Sequence, residues 1–193
     1  MLAPESPDGG TGRPVRWWKN RRVAITISPD EPTAPDVLTL LGEHLTDMYA
    51  TSPAESVHAL DPSALAAPGI TFWTARDAGG ALLGCAALKE LGPTDSELKS
   101  MRTTTAARGQ GVGAAVLAHV LAAAAGRGVR TVHLETGTQH YIAPARRLYE
   151  RAGFVECPPF ADYVLDPHSV FYRLSLTAPD VPATGPTAAR PAS

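Results

Sequence analysis

Cysteine is scarce in this chain, and so is any imbalance of charge. Cys85 and Cys157 are the 2 cysteines among 193 residues, far apart and at no metal-ligand spacing. Free thiols buried in a reducing cytosol suit that pattern better than a disulfide, and no His/Cys cluster asks for a metal. With 17 Lys and Arg against 19 Asp and Glu, the formal charge is −2. This argues against a nucleic-acid partner, because such a module needs a basic excess to neutralise phosphates. Long hydrophobic runs are missing as well. Arg21-Arg22 precedes only the short apolar run 23–27, too brief for a signal core or a membrane span, so a cytoplasmic protein with no membrane partner is expected. No internal repeat is present. What remains is ordinary globular material, 44% hydrophobic and long enough to bury one core.

Residues 1–21 are rich in Pro, Gly and charge without hydrophobic periodicity, and residues 178–193 return to Pro, Ala and Thr. Both are expected to be disordered tails around a single domain over 22–177. Trp17-Trp18 stand out in the first tail, as a segment that docks on the domain or as a contact for a partner. Within the domain, Val23, Ile25 and Ile27 alternate as a first strand ended by Ser28-Pro29. Val37, Leu38, Leu41, Leu45 and Met48 then recur at helical spacing over 35–49. Residues 52–60 read as a short helix or loop opened by a serine before proline. Strand-like runs at 70–76 and 81–91 are joined by the turn Asp77-Ala-Gly-Gly80, and a further strand spans 97–104. A helix over 114–125, a stop at Gly126-Arg-Gly128 and a strand over 131–135 make a strand–helix–strand unit. Such a unit is parallel and right-handed, with its ligand at the strands' C-terminal ends. A short helix over 143–152 is stopped by Gly153. Residues 154–155 and 170–176 complete the sheet around a long connection, 158–168.

One stretch organises the rest. Arg108-Gly109-Gln110-Gly111-Val112-Gly113 opens the long helical segment, in which Val116, Leu117, Val120 and Leu121 recur at helical spacing among strong helix formers. Glycines at every second position leave successive N–H groups unshielded, free to turn toward one anion. A helix N-terminus at that point adds free amides and the positive end of a dipole, and Arg108 adds a full charge. A phosphate or pyrophosphate is the expected ligand; a tight turn alone would normally manage with fewer glycines. A nucleoside-triphosphate loop fails because Ala114-Ala115 follow Gly113 where Lys and Ser or Thr are needed. A dinucleotide fingerprint is disfavoured because Ala114 occupies its third glycine position and the unit lies past the middle of the chain.

Arg108-x-x-Gly111-x-Gly113, preceded by Glu97-Leu-Lys-Ser-Met-Arg-Thr103 and followed by Ala145-Arg-Arg-Leu-Tyr149-Glu-Arg-Ala-Gly153-Phe154, resembles the acetyl-CoA-binding core of the GNAT superfamily of N-acetyltransferases. The likeness covers residues 22–177. It implies a mixed α/β (α+β) fold, with a mostly antiparallel twisted sheet, a central parallel strand pair and helices on both faces. It also implies acetyl-CoA as co-substrate without a metal, the pyrophosphate resting on the amides of Gly109, Gln110, Gly111, Val112 and Gly113 beside Arg108. Two positions depart from the family pattern: Thr105, where a proline often precedes the arginine, and Ile142, where an asparagine often contacts the CoA arm.

Acetyl transfer to an amine needs a deprotonated nucleophile, a polarised thioester carbonyl and a protonated leaving sulfur. An alkylammonium titrates near ~10 and a thiol near ~8.5, so both proton movements need positioned help. In the resembled enzymes the tyrosine at the position of Tyr149 approaches the CoA sulfur, which makes Tyr149 the expected acid; a core aromatic is the alternative. Several members use an acid on the strand that carries Glu97, which ranks Glu97 first as base, with His58 next. Glu135, ending the parallel strand, could likewise accept a proton through a water and is expected to contact the substrate, and either strand-end acid could instead be solvated or salt-bridged. Backbone amides of Met101 or Thr103 would polarise the carbonyl. In the superfamily, the connection between the first two helices walls the acceptor site, which implies substrate contacts for Glu55, Ser56 and His58; the alternative is that Glu55 and Ser56 are solvated and His58 packs under the sheet. Asp162, Tyr163 and Ser169, on or beside the long connection, either line the acceptor pocket or only order that loop.

The function expected is therefore direct transfer of acetyl from acetyl-CoA to the amine of a small-molecule acceptor. A non-catalytic acetyl-CoA or CoA-binding regulator and a protein or peptide N-acetyltransferase are the alternatives. Acceptor identity and oligomeric state, a homodimer included, stay open.

Overall fold

A computed structural model describes residues 24–50 and 61–176. Strands β1 (Thr26–Pro29), β2 (Ile70–Arg76), β3 (Leu82–Glu90), β4 (Asp95–Thr103), β5 (Thr131–Gly137), β6 (Val155–Glu156) and β7 (Ser169–Ser175) form one seven-stranded sheet in the order β1-β2-β3-β4-β5-β7-β6. Helix α1 (Pro35–Tyr49) follows β1, α2 (Val112–Gly126) links β4 to β5, and α3 (Ala143–Arg151) precedes β6. All neighbouring strands run antiparallel except β4 and β5, which are parallel. The mixed sheet with a central parallel pair is thus the one expected. Glu55, Ser56, His58, Trp17 and Trp18, with both terminal tails, lie outside the described residues.

The side-chain alternation of β2 and β3 sorts the core onto the two sheet faces. Phe72, Cys85 and Ala87 pack with Val37, Leu40 and Leu41 of α1. On the other face Trp73, Ala75, Ala86 and Leu88 meet Val112, Val116, Leu117, Val120 and Ala124 of α2, and the same cluster extends to Tyr149 of α3, Phe154 and Tyr172. Each fully buried aliphatic side chain here contributes about 1.5–3 kcal/mol. The Cys85 thiol is buried on the α1 face and burial pushes its pKa up to about 12, which makes it an unreactive thiol rather than a nucleophile; Cys157 is also free.

Several boundaries differ from the sequence expectation for identifiable reasons. β1 does not end at Ser28-Pro29 but runs through them, pairing Pro29 with Trp73. It is the outermost strand, where a residue without an N–H costs no ladder bond. β4 begins at Asp95 rather than at Glu97, because Asp95, Ser96 and Glu97 all pair with β5. α2 begins at Val112 instead of Ala114 and runs to Gly126. The turn after β2 is as expected: Gly80 N–H donates to Asp77 O (3.0 Å), and the Asp77 carboxylate accepts from Gly79 N–H and Ala81 N–H, both at 2.9 Å. On the far side of β2, Arg76 binds Asp30 (2.9 Å) and Asp36 (2.5 Å), tying the β1–α1 connection to the sheet.

Candidate functional site

The parallel contact of β4 with β5 lasts three rungs, Asp95↔Thr131, Ser96↔Val132 and Glu97↔His133, and then the strands part. A cause lies in β4. Its register with β3 slips between Cys85 and Ala87, so that Ser100 and Met101 together oppose Ala86. Ser100 holds φ +50° there, in the left-handed region that non-glycine residues rarely occupy. Such a bulge bends and twists its strand, and backbone strain of this kind collects at functional sites. Thr104 N–H donates back to Leu83 O (2.9 Å). Strand alternation therefore turns Thr103 N–H toward the opposite edge, the one β5 has left.

A cavity of about 700 Å³ opens where the strands separate, lined by β4 from Glu97 to Thr103, by Glu135, Thr136 and Gly137 of β5, by the start of α2 and by α3. At one end the N–H groups of Gly109, Gly111, Val112, Gly113 and Ala114 meet no backbone carbonyl among the described residues, and no side chain caps α2. Arg108 stands exposed beside them. The three glycines are not equivalent. Gly109 (φ +74°) and Gly111 (φ +83°) need the conformational freedom of glycine, and a Cβ at either would stand in open space. Gly113 lies within α2, where a Cβ would meet Leu148 Cδ2 and Thr103 Oγ1 at 3.4 Å, so its missing side chain serves packing. Gln110 also departs from the expected cradle: its N–H turns back to Ala107 O (3.4 Å) and its side-chain amide donates to Ala106 O (2.7 Å). Unspent amides with a helix dipole and a cation beside them fit a diphosphate, so the donor set suits the phosphate end of acetyl-CoA.

Tyr149 projects from α3 into the same cavity, 7% exposed, edge-on to Phe154 with ring centroids 5.9 Å apart. Burial, reinforced by the Glu135 carboxylate, holds its phenol well above the ordinary range, so the proton stays on the oxygen at neutral pH. Arg146 of the same helix donates to Gly137 O (2.7 Å) and Gln139 O (3.1 Å), fixing α3 against the end of β5.

Glu97 lies on the α1 face of β4, 2% exposed and enclosed by partners. Its Oε1 accepts from Lys99 Nζ (2.9 Å) and from Tyr163 Oη (2.7 Å), while Lys99 Nζ also donates to Tyr163 Oη (2.7 Å). Glu97 is thus an ion-paired carboxylate that also lines the cavity. Burial first, then the nearby Glu97 carboxylate, pushes the Tyr163 phenol far upward. The connection carrying Tyr163 is anchored by aromatic packing: Phe160 lies 4.7 Å from the His133 ring and 5.0 Å from the Tyr163 ring, and Tyr163 packs 5.5 Å from Phe171. Glu135 faces the cavity from β5 and accepts from Ser169 Oγ at 2.6 Å. Asp162 is exposed and does not line the cavity.

Further lining residues carry no clear mark in the sequence. Arg102 binds Asp47 across the mouth (2.5 Å), and Tyr141 Oη reaches Asp47 O at 3.4 Å. Lys99 could have been paired with Glu97 from strand alternation alone, since residues two apart share a face; the contribution of Tyr163, 64 residues away from Lys99, could not. Among the described residues no cluster of His, Cys, Asp or Glu is placed to hold a metal ion, and no helix is long and apolar enough to cross a membrane.

Comparison with known proteins adds independent findings. The model of the acetyltransferase (GNAT) family matches residues 37–154. The chain is 48% identical over 150 residues to the protein named uncharacterized N-acetyltransferase YsnE of Bacillus subtilis (strain 168), covering 78% of this chain and 99% of that one. It is 36% identical over 156 residues to the IAA acetyltransferase of Azospirillum brasilense, covering 79% and 98%. Among solved structures, a GNAT family acetyltransferase from Elizabethkingia anophelis with acetyl-CoA bound superposes with a TM-score of 0.56 at 18% identity, over 79% of this chain and 98% of that one, a likeness of fold.

Proposed function

This chain belongs to the acetyltransferase (GNAT) family, and from that premise we propose that it moves the acetyl group of acetyl-CoA directly to the amine of a small-molecule acceptor, in the cavity between β4 and β5. The observation that carries this is the coincidence of two features at one place. A parallel strand pair parts after three rungs, and the unspent amides of α2 point at the opening. Acetyl-CoA, when bound, supplies an activated acyl thioester; the remaining work falls to this chain's residues.

Gly109, Gly111, Val112 and Gly113 offer main-chain N–H groups to the diphosphate, with Arg108 as the adjacent cation. Thr103 N–H, and Met101 N–H at the bulge, are the donors for the thioester carbonyl, where charge develops on oxygen during transfer. Tyr149, kept protonated by burial, gives its proton to the departing sulfur. Glu97 accepts a proton from the acceptor ammonium, directly or through water, and Lys99 and Tyr163 hold its carboxylate in one orientation. The amide C–N bond forms as the C–S bond breaks, and the net release is one proton per ammonium acetylated. Glu135 lies on the acceptor side, and Tyr163, which does not itself line the cavity, acts there through its hydrogen bond to Glu97.

A panel of amines assayed for CoA release tests this. Turnover is expected with at least one small amine, lost in Tyr149→Phe and Glu97→Gln while CoA binding persists. Binding without turnover for every acceptor would instead identify a regulator, and acetylation confined to peptides would move the acceptor class.

A further inference from the structure

CoA carries more charge than the α2 amides and Arg108 answer. Its diphosphate bears two negative charges, and the phosphomonoester at the 3′ position of its ribose adds about two more. The amides and Arg108 meet the diphosphate. The phosphomonoester needs a cation of its own.

Four cations line the cavity, and they are of two kinds. Lys99 binds Glu97 (2.9 Å) and Arg102 binds Asp47, so both are held by carboxylates of the same cavity. Arg108 and Arg151 are exposed and have no carboxylate partner among the described residues. The third lining carboxylate, Glu135, accepts from Ser169 Oγ (2.6 Å), and His168 stands at the β5 end, where its C=O accepts Thr138 N–H (3.0 Å).

Helical spacing fixes where Arg151 stands. Pro144, Ala145, Leu148 and Arg151 line the cavity, whereas Arg147 and Glu150 do not, the stripe that residues three and four apart make along one helix face. That stripe has a direction. α3 follows the turn in which Tyr141 Oη reaches Asp47 O (3.4 Å) at the mouth, and Arg146 fixes its first half to the end of β5. Leu148 then meets the start of α2, where a Cβ on Gly113 would stand 3.4 Å from Leu148 Cδ2. Arg151 lies one turn further along, in the last turn of α3. A ligand with its acyl end between β4 and β5 and its diphosphate on the α2 amides carries its nucleoside past Leu148 toward Arg151. A last-turn cation also suits the helix dipole, but that role does not require it to face the cavity. The adjacent carboxylate, Glu150, accepts from Tyr172 Oη (3.1 Å) instead.

We propose that Arg151 forms a phosphomonoester subsite beside the diphosphate cradle, so that this chain distinguishes CoA from its 3′-dephospho form. This rests on the acetyl-CoA reading above. A guanidinium presents a planar fork that two phosphate oxygens fill together.

Titration calorimetry of the full chain with CoA and with 3′-dephospho-CoA, at low ionic strength to limit screening, tests this. CoA is expected to bind about 5- to 30-fold more tightly, between the worth of an exposed ion pair and that of a charge-assisted hydrogen bond. Arg151→Gln should bring the ratio of the two Kd values toward one by weakening CoA alone, and Arg151→Lys should keep part of it. Arg108→Gln should weaken both ligands and leave the ratio. Arg147→Gln removes the same charge from a part of the same helix that does not line the cavity, and should leave both Kd values near the parent's. A purely structural Arg151 would lower Tm and shift both ligands together. Equal affinities in the parent, a ratio unchanged in Arg151→Gln, or a ratio that collapses as far in Arg147→Gln overturns the assignment while CoA binding stands. An absence of heat from both ligands overturns the acetyl-CoA reading itself, and this assignment with it.

Discussion

Replacing Gly111 by alanine separates the two things a glycine at a helix N-terminus can do. Gly111 holds φ +83°, and so does Gly128, nearly, at +80°, just beyond the C-terminus of α2. A Cβ at either position meets no atom within 4 Å. Alanine in the left-handed region costs about 1–2 kcal/mol, and for a chain of this size that lowers Tm by roughly 2–8 °C. Gly111→Ala and Gly128→Ala should thus be destabilised alike. Their ligand behaviour should differ, because the open space at Gly111 is where a diphosphate must approach the N–H groups of residues 111–114. Losing one charge-assisted hydrogen bond there costs about 1.5–3 kcal/mol, a rise in Kd of about 10- to 150-fold. Differential scanning fluorimetry measures the first effect and titration calorimetry with CoA the second. Matched Tm losses with a weakened Kd only in Gly111→Ala are expected. If both variants bind CoA as the parent does, or both weaken equally, the helix terminus is not the phosphate site.

Tyr149→Phe should fold normally and lose about 10²–10⁴ in kcat, the usual range for a positioned acid, as read from steady-state rates. Lys99→Met leaves Glu97 buried without its cation and should cost about 3–5 kcal/mol in denaturant unfolding, much of which the double variant with Glu97→Gln recovers; additive losses would mean that the pair does not interact. Ser100→Gly should be neutral or stabilising by under about 1 kcal/mol because Ser100 sits at φ +50°, whereas Ser100→Val should be clearly destabilised. At alkaline pH the sign follows from the tyrosines. Tyr149, Tyr163 and Tyr172 all titrate above the ordinary phenol value, Tyr172 at about 12, so stability is unaffected by them below about pH 10 and falls above it, as unfolded chains release protons that the fold retains. Each contributes up to about 1.4 kcal/mol per pH unit. Tyr149→Phe should make the alkaline loss of stability shallower, and an unchanged slope would contradict the burial argument.

How legible the molecule was depended on whether a feature is written in single letters or in the meeting of distant segments. Gly109 and Gly111 announce a cradle because left-handed backbone needs glycine, and the apolar repeat of Val116, Leu117 and Val120 announces the helix that completes it. Ser100 adopts the same backbone region without such a letter, so the bulge that opens the cavity leaves no trace in composition. Pro29 misled in the other direction: proline reads as a strand terminator, and only the edge position of β1 permits it. The ion pair of Arg102 with Asp47 spans 55 residues and joins β4 to α1, a contact set by how the helix lies on the sheet. Gln110 looks like part of the glycine run, yet it stabilises the turn rather than facing the opening.

The most direct measurement is an amide NMR titration of uniformly ¹⁵N-labelled protein with CoA. The shifts of Gly109, Gly111, Val112 and Gly113 are expected to move furthest and in proportion to occupancy, while Gly128 at the far end of α2 stays put. Saturation of binding with those four amides unmoved, and the changes gathered elsewhere on the sheet, would contradict the account.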